Sequence, residues 1–328
     1  MARTTPIVPT ATSAGLACGV GANMLGRLAF IVPALLIGVG APQLTLGRYL
    51  AYGLVSLGLF MLTRRRTRGQ VDRRMWGTAF TFAVAGNVGY YVVLVLGVEY
   101  AGAAMTALIV GTLPVTVALY GNWRRREYPF ARLAAPIALI LLGLLCINLL
   151  APHGEGGAGR AAGAGGTSLV GLLCAFTALA LWTWYAVANA AFLRAHPQLS
   201  ASAWTSLTGV NTLLVVVGVL VVVAVARILG VGASPTPVPW FGHTLWPFLV
   251  GSLTLGLGAS WAAGVLWNKA STLLPVSLAG QLIVCEPLTV LAYVFLAGSR
   301  WPTLGEALGI ALVVGGVLLG INATTARE

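Results

Sequence analysis

The sequence contains ten apolar segments, each of about 20 residues, separated by short polar connections. A membrane-spanning helix needs this length, because a bilayer core offers no water to backbone N–H and C=O groups and a helix satisfies them internally. The apolar runs are continuous and lack the period-two alternation of barrel strands. We therefore predict an all-α membrane protein with ten transmembrane helices, near residues 11–35, 43–63, 75–97, 101–122, 131–150, 168–192, 201–227, 244–267, 272–296 and 303–322.

Composition agrees with a membrane protein and excludes several other classes. Of the 328 residues, 58% are hydrophobic and 8% are charged, and the mean hydropathy is +0.91. A soluble domain carries roughly a quarter charged residues, so this chain lacks the polar surface of a soluble, secreted or disordered protein. The net charge of +12 would suggest nucleic acid in a soluble protein. Here the bilayer accounts for it, and we expect no nucleic-acid partner.

The basic residues are distributed unevenly between the two sides of the predicted membrane. Fourteen of the 19 fall on one side and three on the other, and Arg27 and Arg48 lie within or at the edge of helices. The largest basic groups occur at 64–74 and 124–132. By the positive-inside rule their side is cytoplasmic, and both chain termini lie there. A localisation signal and an anionic-lipid site are the sharper alternatives for the run at 64–74.

Several short patterns recur in the same order in the two halves of the chain. They are Pro-x-Thr-Val-x-x-Tyr at 114–120 and 287–293, and a Trp followed ten residues later by a Gly at 76–86 and 246–256. Each half contains five predicted helices, and this odd number makes the second half lie inverted relative to the first. We therefore expect two inverted five-helix repeats, which commonly build alternating-access transporters with the substrate site near the midplane.

The two halves are joined by a glycine-rich stretch. Such composition is typical of a flexible linker, and the predicted topology puts it on the extracytoplasmic side. We predict a first repeat over residues 1–150, a linker over 151–167 and a second repeat over 168–328.

A further set of residues, spread over most of the chain, matches a known pattern. These residues are Arg48-Tyr49, Tyr90-Tyr91 through Ala101, Trp182, Tyr185, Asn189, Glu286-Pro287, Gly309, Leu312 and Gly316. The pattern resembles the drug/metabolite transporter superfamily, specifically its ten-helix EamA-type members and, within them, the YddG-like amino-acid exporters. The chain departs from many such proteins at Gly121-Asn122 and Gly298-Ser299, where they carry Gly-Glu.

The resemblance implies an inner-membrane secondary transporter that exports small molecules by alternating access. Its substrates would be amino acids, aromatic or other neutral ones among them, or similar small metabolites. Transport would be facilitated or proton-coupled, without a cofactor or metal. A broad-specificity drug exporter and a metabolite importer of the same fold are the alternatives, and a membrane-embedded enzyme is more remote because nucleotide-binding and hydrolase motifs are lacking. Ten helices are enough to enclose a path, so we expect a monomer in the lipid bilayer.

Aromatic and amide side chains cluster in a few of the predicted spans. Aromatic faces offer apolar contact and cation–π attraction, while amides hydrogen-bond a carboxylate without a fixed charge. This mixture suits a small amphipathic zwitterion. The candidate substrate-binding residues are Asn87, Tyr90, Tyr91, Trp182, Tyr185, Asn189, Trp261 and Gln281. Trp123 and Trp267 lie near span ends, where an interfacial aromatic belt is the better interpretation.

Three charged residues fall where the bilayer makes charge costly. Glu286 is either a site for a coupled proton or a substrate ammonium, or a carboxyl that bonds backbone groups freed by Pro287. Arg27 is a candidate partner of Glu286. Arg48 either snorkels toward the outer face or attracts a carboxylate at an outer gate. Pro114 and Pro287 occupy equivalent helices and are candidate bends.

Overall fold

In a computed structural model the chain forms a series of helices joined by short turns. Every regular element in the part of the chain that the structure describes is helical, which confirms the predicted all-α class for those residues. The described residues are 9–36, 41–67, 71–125, 129–150, 168–230, 245–283 and 301–325.

The helices fall into a group before residue 151 and a group after residue 167. The first group is α1 Pro9–Gly26, α2 Leu28–Leu35, α3 Ala41–Thr67, α4 Arg73–Phe82, the π-helix π1 Ala83–Gly89, α5 Tyr90–Ala101, α6 Ala103–Val110, α7 Leu113–Arg125 and α8 Phe130–Leu150. The second group is α9 Leu169–Ala195, α10 Ala201–Ile228, α11 Leu245–Thr254, the π-helix π2 Leu255–Ala262, α12 Ala263–Leu273, α13 Val276–Leu282 and α14 Leu304–Thr325.

Several of these helical stretches have the dimensions of membrane spans. Within the described residues, five are long and apolar enough to cross a membrane by length and composition. They are Gln43–Thr63, Arg73–Ala101, Leu169–Ala195, Ala201–Ala226 and Leu245–Leu273, and two shorter apolar helices cover Phe130–Gly143 and Leu304–Gly320. The long stretches correspond to the second, third, sixth, seventh and eighth predicted segments, and the shorter ones to the fifth and tenth.

Short polar side chains satisfy backbone groups where several helices begin. The Asp72 carboxylate accepts a hydrogen bond of 2.8 Å from the Met75 N–H at the start of α4. At the start of α14, Thr303 N–H donates to the Glu306 carboxylate at 2.8 Å, while Glu306 N–H donates to the Thr303 hydroxyl at 3.3 Å. This reciprocal pair is a capping box, and it accounts for the burial of Glu306.

Two segments that the sequence predicts as continuous helices are interrupted. The first breaks at Arg27, between α1 and α2, and the fourth breaks at residues 111–112, between α6 and α7. Backbone groups stay bonded at both breaks: Arg27 N–H donates to Asn23 O at 3.2 Å, and Thr112 N–H donates to Ile109 O at 3.1 Å. Pro114 lies in the first turn of α7, where its missing N–H leaves no intrahelical bond unmade.

The two π-helices occupy corresponding places in the third and eighth predicted segments. Each has an α-helix on either side, and each contains one glycine of the recurring Trp–Gly pattern, Gly86 in π1 and Gly256 in π2. A Cβ on Gly86 would lie 2.5 Å from the Tyr185 ring, and one on Gly256 would lie 2.6 Å from the Tyr52 backbone N. Both glycines therefore allow close approach of another helix beside a widened helical turn.

The most extensive helix contacts join the two groups of helices rather than neighbours within a group. The five pairs are α8 with α14, α3 with α10, α1 with α12, α5 with α9, and α7 with α13. The α8–α14 contact depends on glycine, since a Cβ on Gly143 would lie 2.6 Å from Gly309 O. Small residues at such crossings let helix backbones approach closely.

Gly316 and Gly315 in α14 provide a matched test of this packing. A Cβ at Gly316 would lie 2.8 Å from Pro136 O and 3.1 Å from Ile140 N, whereas one at Gly315 would meet nothing within 4 Å. We expect Gly316→Ala to lower the free energy of unfolding by about 1–3 kcal/mol through overpacking. Gly315→Ala should be neutral or slightly stabilising, because alanine favours helix. Unfolding of the purified protein in detergent measures both, and equal stability of the two variants would contradict the packing.

Candidate functional site

A cavity of about 420 Å³ lies among the helices of both groups. Its walls come from α1, α3, π1 and α5 on one side and from α9, α10, π2 and α12 on the other. This volume is in the range that small-molecule sites occupy, and the lining mixes aromatic faces with a few polar groups. The cavity is therefore the candidate binding site.

Five of the eight predicted substrate-binding residues line this cavity. They are Asn87, Tyr90, Tyr91, Trp182 and Tyr185. The other three, Asn189, Trp261 and Gln281, lie outside its lining. The structure thus brings π1, the start of α5 and the middle of α9 together, as the sequence predicts, and separates the remaining candidates from them.

The polar side chains on the α3 and π1 walls are held by hydrogen bonds between helices. The Asn87 amide donates to the Thr212 hydroxyl at 2.8 Å, and the Asn87 carbonyl accepts from the Tyr49 hydroxyl at 3.3 Å. The Thr45 and Tyr91 hydroxyls are 2.8 Å apart. These bonds fix the orientation of the groups that a bound molecule would meet.

The opposite wall is aromatic. The Trp182 ring lies 6.3 Å from Tyr185 and 6.0 Å from Trp267, centre to centre. Trp267 lines the cavity, so its expected place in an interfacial belt is wrong; α12 continues past it to Leu273, which leaves it inside the helix. Trp123, the other expected belt residue, is 61% exposed.

Both intramembrane arginines reach the cavity. Arg27 lies at the break between α1 and α2 and is only 5% exposed. Arg48 lies two turns into α3, where its Nε donates to the Ser260 hydroxyl at 2.9 Å and its guanidinium carbon lies 5.5 Å from the centre of the Tyr49 ring. The side chain therefore turns inward to π2, and the expectation that it snorkels outward is wrong. Glu286 and Pro287 lie outside the described residues, as does any pairing of Glu286 with Arg27.

Asn189 belongs to a buried hydrogen-bond network at one end of the cavity. Its amide donates to Asn268 Oδ1 at 2.7 Å, and its own Oδ1 accepts from Trp204 Nε1 at 2.7 Å. Asn268 in turn donates to the Thr205 hydroxyl at 2.8 Å, and both of these residues line the cavity. The network ties α9, α10 and α12 together, and we name it the Asn189 network.

The other two candidates outside the lining have separate surroundings. Trp261 Nε1 donates to the Ser206 hydroxyl at 3.0 Å, which links π2 to α10. Gln281 is fully buried, and its side-chain amide has no hydrogen-bond partner among the described residues. The absent side chain of Gly320 leaves room for it, because a Cβ there would lie 1.7 Å from Gln281 Oε1.

The prediction missed several polar residues of the lining. Those that hold or face the cavity are Asn23, Tyr49, Tyr52, Thr205, Thr208 and Ser260. Spacing offered a partial signal on α3, because Arg48 and Tyr52 are four residues apart and share one helix face. The hydroxyl residues offered none, since threonine and serine are common in membrane helices and often bond their own backbone.

Apolar helices around a buried cavity with polar and aromatic walls define the class of membrane transporters for small molecules. Residues 15–149 match the model of the EamA-like transporter family. Over 308 residues the chain is 32% identical to "Inner membrane protein YtfF" of Escherichia coli (strain K12), covering 92% of this chain and 93% of that protein. The chain belongs to the EamA-like transporter family, within the drug/metabolite transporter superfamily, which confirms the resemblance at that level.

A solved structure shares the same fold. A crystal structure of a protein with 19% sequence identity superposes with a TM-score of 0.70, covering 96% of this chain and 99% of that chain.

The Asn189 network makes a testable contribution to stability. Asn189→Ala removes both partners of the Asn189 side chain and leaves Trp204 Nε1 and Asn268 Oδ1 buried without them. We expect the free energy of unfolding in detergent to fall by about 1–3 kcal/mol. Thr177→Ala on the same helix is the control, because the Thr177 side chain is exposed and bonds only Leu173 O of its own turn. A loss of similar size in both variants would contradict the role of the network.

Proposed function

We propose that this protein is an inner-membrane exporter of amino acids or similar small metabolites, and that the cavity binds the substrate. The observation that carries the proposal is the lining itself, in which the Trp182–Trp267 pair faces polar groups that include Asn87 and Arg48. Aromatic faces suit an apolar side chain, while amides and guanidinium groups suit a carboxylate. The inner-membrane assignment draws on the printed name of the relative from Escherichia coli.

Alternating access between two inverted five-helix repeats is the proposed mechanism. The repeats would cover residues 1–150 and 168–328, joined by 151–167, and together they would supply ten helices. Two observations support this: the five most extensive helix contacts all join one half to the other, and the two π-helices occupy corresponding positions. A cavity between the halves is where rocking of one repeat against the other would expose a substrate to each side in turn.

Energy coupling is the least constrained part of the proposal. Transport is facilitated or proton-coupled, Glu286 and Arg27 are the candidate coupling charges, and Pro287 is a candidate bend. Arg27 is buried at a helix break beside the cavity, a position in which a change of neighbouring charge would reach the bound substrate. One chain contains the whole proposed cavity, which favours a monomer.

Counterflow in proteoliposomes tests the transport function. Vesicles loaded with one unlabelled amino acid should accumulate the same amino acid in labelled form, across a panel of the common amino acids. Trp182→Ala should reduce the initial rate about tenfold, the loss expected when about 1.4 kcal/mol of binding is removed. Trp246→Ala is the matched control, because this tryptophan is 75% exposed and lies outside the cavity lining.

Two results would count against the proposal in different ways. Absence of counterflow with every amino acid would remove the substrate class and favour the alternative of a drug exporter or an importer of another metabolite. Equal rates for Trp182→Ala and the wild type would remove this cavity as the binding site.

The proposed orientation puts both termini and the arginine-rich loops in the cytoplasm. Gln198→Cys, in the exposed loop between α9 and α10, should then react with a membrane-impermeant maleimide only after cells are permeabilised. Trp301→Cys, 91% exposed just before α14, should react in intact cells. Both substitutions require a background without the native cysteines. The reverse labelling pattern would contradict the orientation.

A further inference from the structure

We propose that Arg48 is the substrate's anion-binding residue, and that a carboxylate, rather than an ammonium, is the group this transporter requires. The inference deepens the proposed function and rests on it, since it names the chemistry by which the same cavity selects a substrate.

Arg48 is held at the cavity wall in a fixed geometry. Its Nε donates to the Ser260 hydroxyl of π2 at 2.9 Å, and the Tyr49 ring lies beside the guanidinium with 5.5 Å between the guanidinium carbon and the ring centre. These two contacts restrain the side chain from both ends of the guanidinium plane. A pre-oriented group loses less rotational freedom when it binds an anion.

The remaining donors of Arg48 are available to a bound molecule. Its Nη1 and Nη2 make no hydrogen bond within the described part of the chain, while the residue itself lines the cavity. These two nitrogens form the flat end of the guanidinium, which matches the two oxygens of a carboxylate. A cation inside a membrane protein faces a cavity or a partner because it is costly elsewhere, and here it faces the cavity.

The charge of the lining favours an anion. Its described residues include the two arginines, Arg27 and Arg48, and neither an aspartate nor a glutamate. The aromatic pair Trp182 and Trp267 borders the same space and suits an apolar group attached to the anion. An amphipathic carboxylate satisfies both parts of the site.

A matched set of probes separates the carboxylate from the ammonium. L-leucine and L-phenylalanine carry both groups, 4-methylpentanoate and 3-phenylpropanoate carry only the carboxylate, and 3-methylbutylamine and 2-phenylethylamine carry only the ammonium. We expect the amino acids and the acids to inhibit counterflow in wild-type proteoliposomes, and the amines to do so at least tenfold more weakly. Phenyl phosphate is a further arm, and stronger inhibition by it than by 3-phenylpropanoate would overturn the carboxylate in favour of a phosphate ester.

Variants of Arg48 test the residue directly. Arg48→Gln should weaken binding of L-leucine and L-phenylalanine about 10- to 100-fold, the range for loss of a charged hydrogen-bonded pair, and Arg48→Lys should fall between it and the wild type. Arg74→Gln removes the same charge from an exposed position in α4 and should leave binding unchanged. Ligand-induced shifts of the unfolding temperature in detergent measure binding, and the temperature without ligand reports whether each variant is folded.

The possible failures can be told apart. Equal binding of amines and acids, or wild-type binding by folded Arg48→Gln, overturns the role of Arg48 and leaves the transporter proposal standing. A wild-type protein that binds none of these probes and shows no counterflow with any amino acid overturns the proposed function, and the inference with it.

Discussion

Everything in this structure depends on the need to satisfy polar groups without water. Within hydrocarbon an unpaired backbone N–H or C=O costs several kcal/mol, so the chain forms helices, whose backbone bonds are internal. The departures from regular helix obey the same constraint. At the break before Pro114, the Thr112 N–H and hydroxyl both donate to Ile109 O, at 3.1 Å and 2.6 Å. Irregular backbone of this kind occurs in membrane proteins where protein or a cavity surrounds it.

The same constraint acts on buried side chains and shapes the cavity. A polar side chain inside the helices must find a partner, and the partner lies most often on another helix. Asn189 bonds Asn268, Asn87 bonds Thr212, and Arg48 bonds Ser260. Each bond joins helices that are distant in sequence. The polar groups that make the site chemically useful therefore also hold its walls in place, which is why substitutions there act on stability as well as on binding.

The prediction from sequence succeeded for properties that depend on single segments and weakened for those that depend on neighbours. Length and hydropathy identified the helices, and polar residues within apolar runs identified five cavity residues, including Asn87 and Trp182. Trp267 and Arg48 were interpreted wrongly because each was judged by its distance from a span end. Both side chains turn into the cavity, a direction set by the helices around them.

The sequence by itself determined the class of protein, the order of its apolar segments and the presence of costly polar residues within them, because these follow from length, hydropathy and the chemistry of a bilayer. Only the tertiary structure decided which of those residues share one space. A helix that is apolar on every side has no moment to reveal its inner face. That face is decided by contacts such as Arg48 with Ser260, between residues more than 200 positions apart.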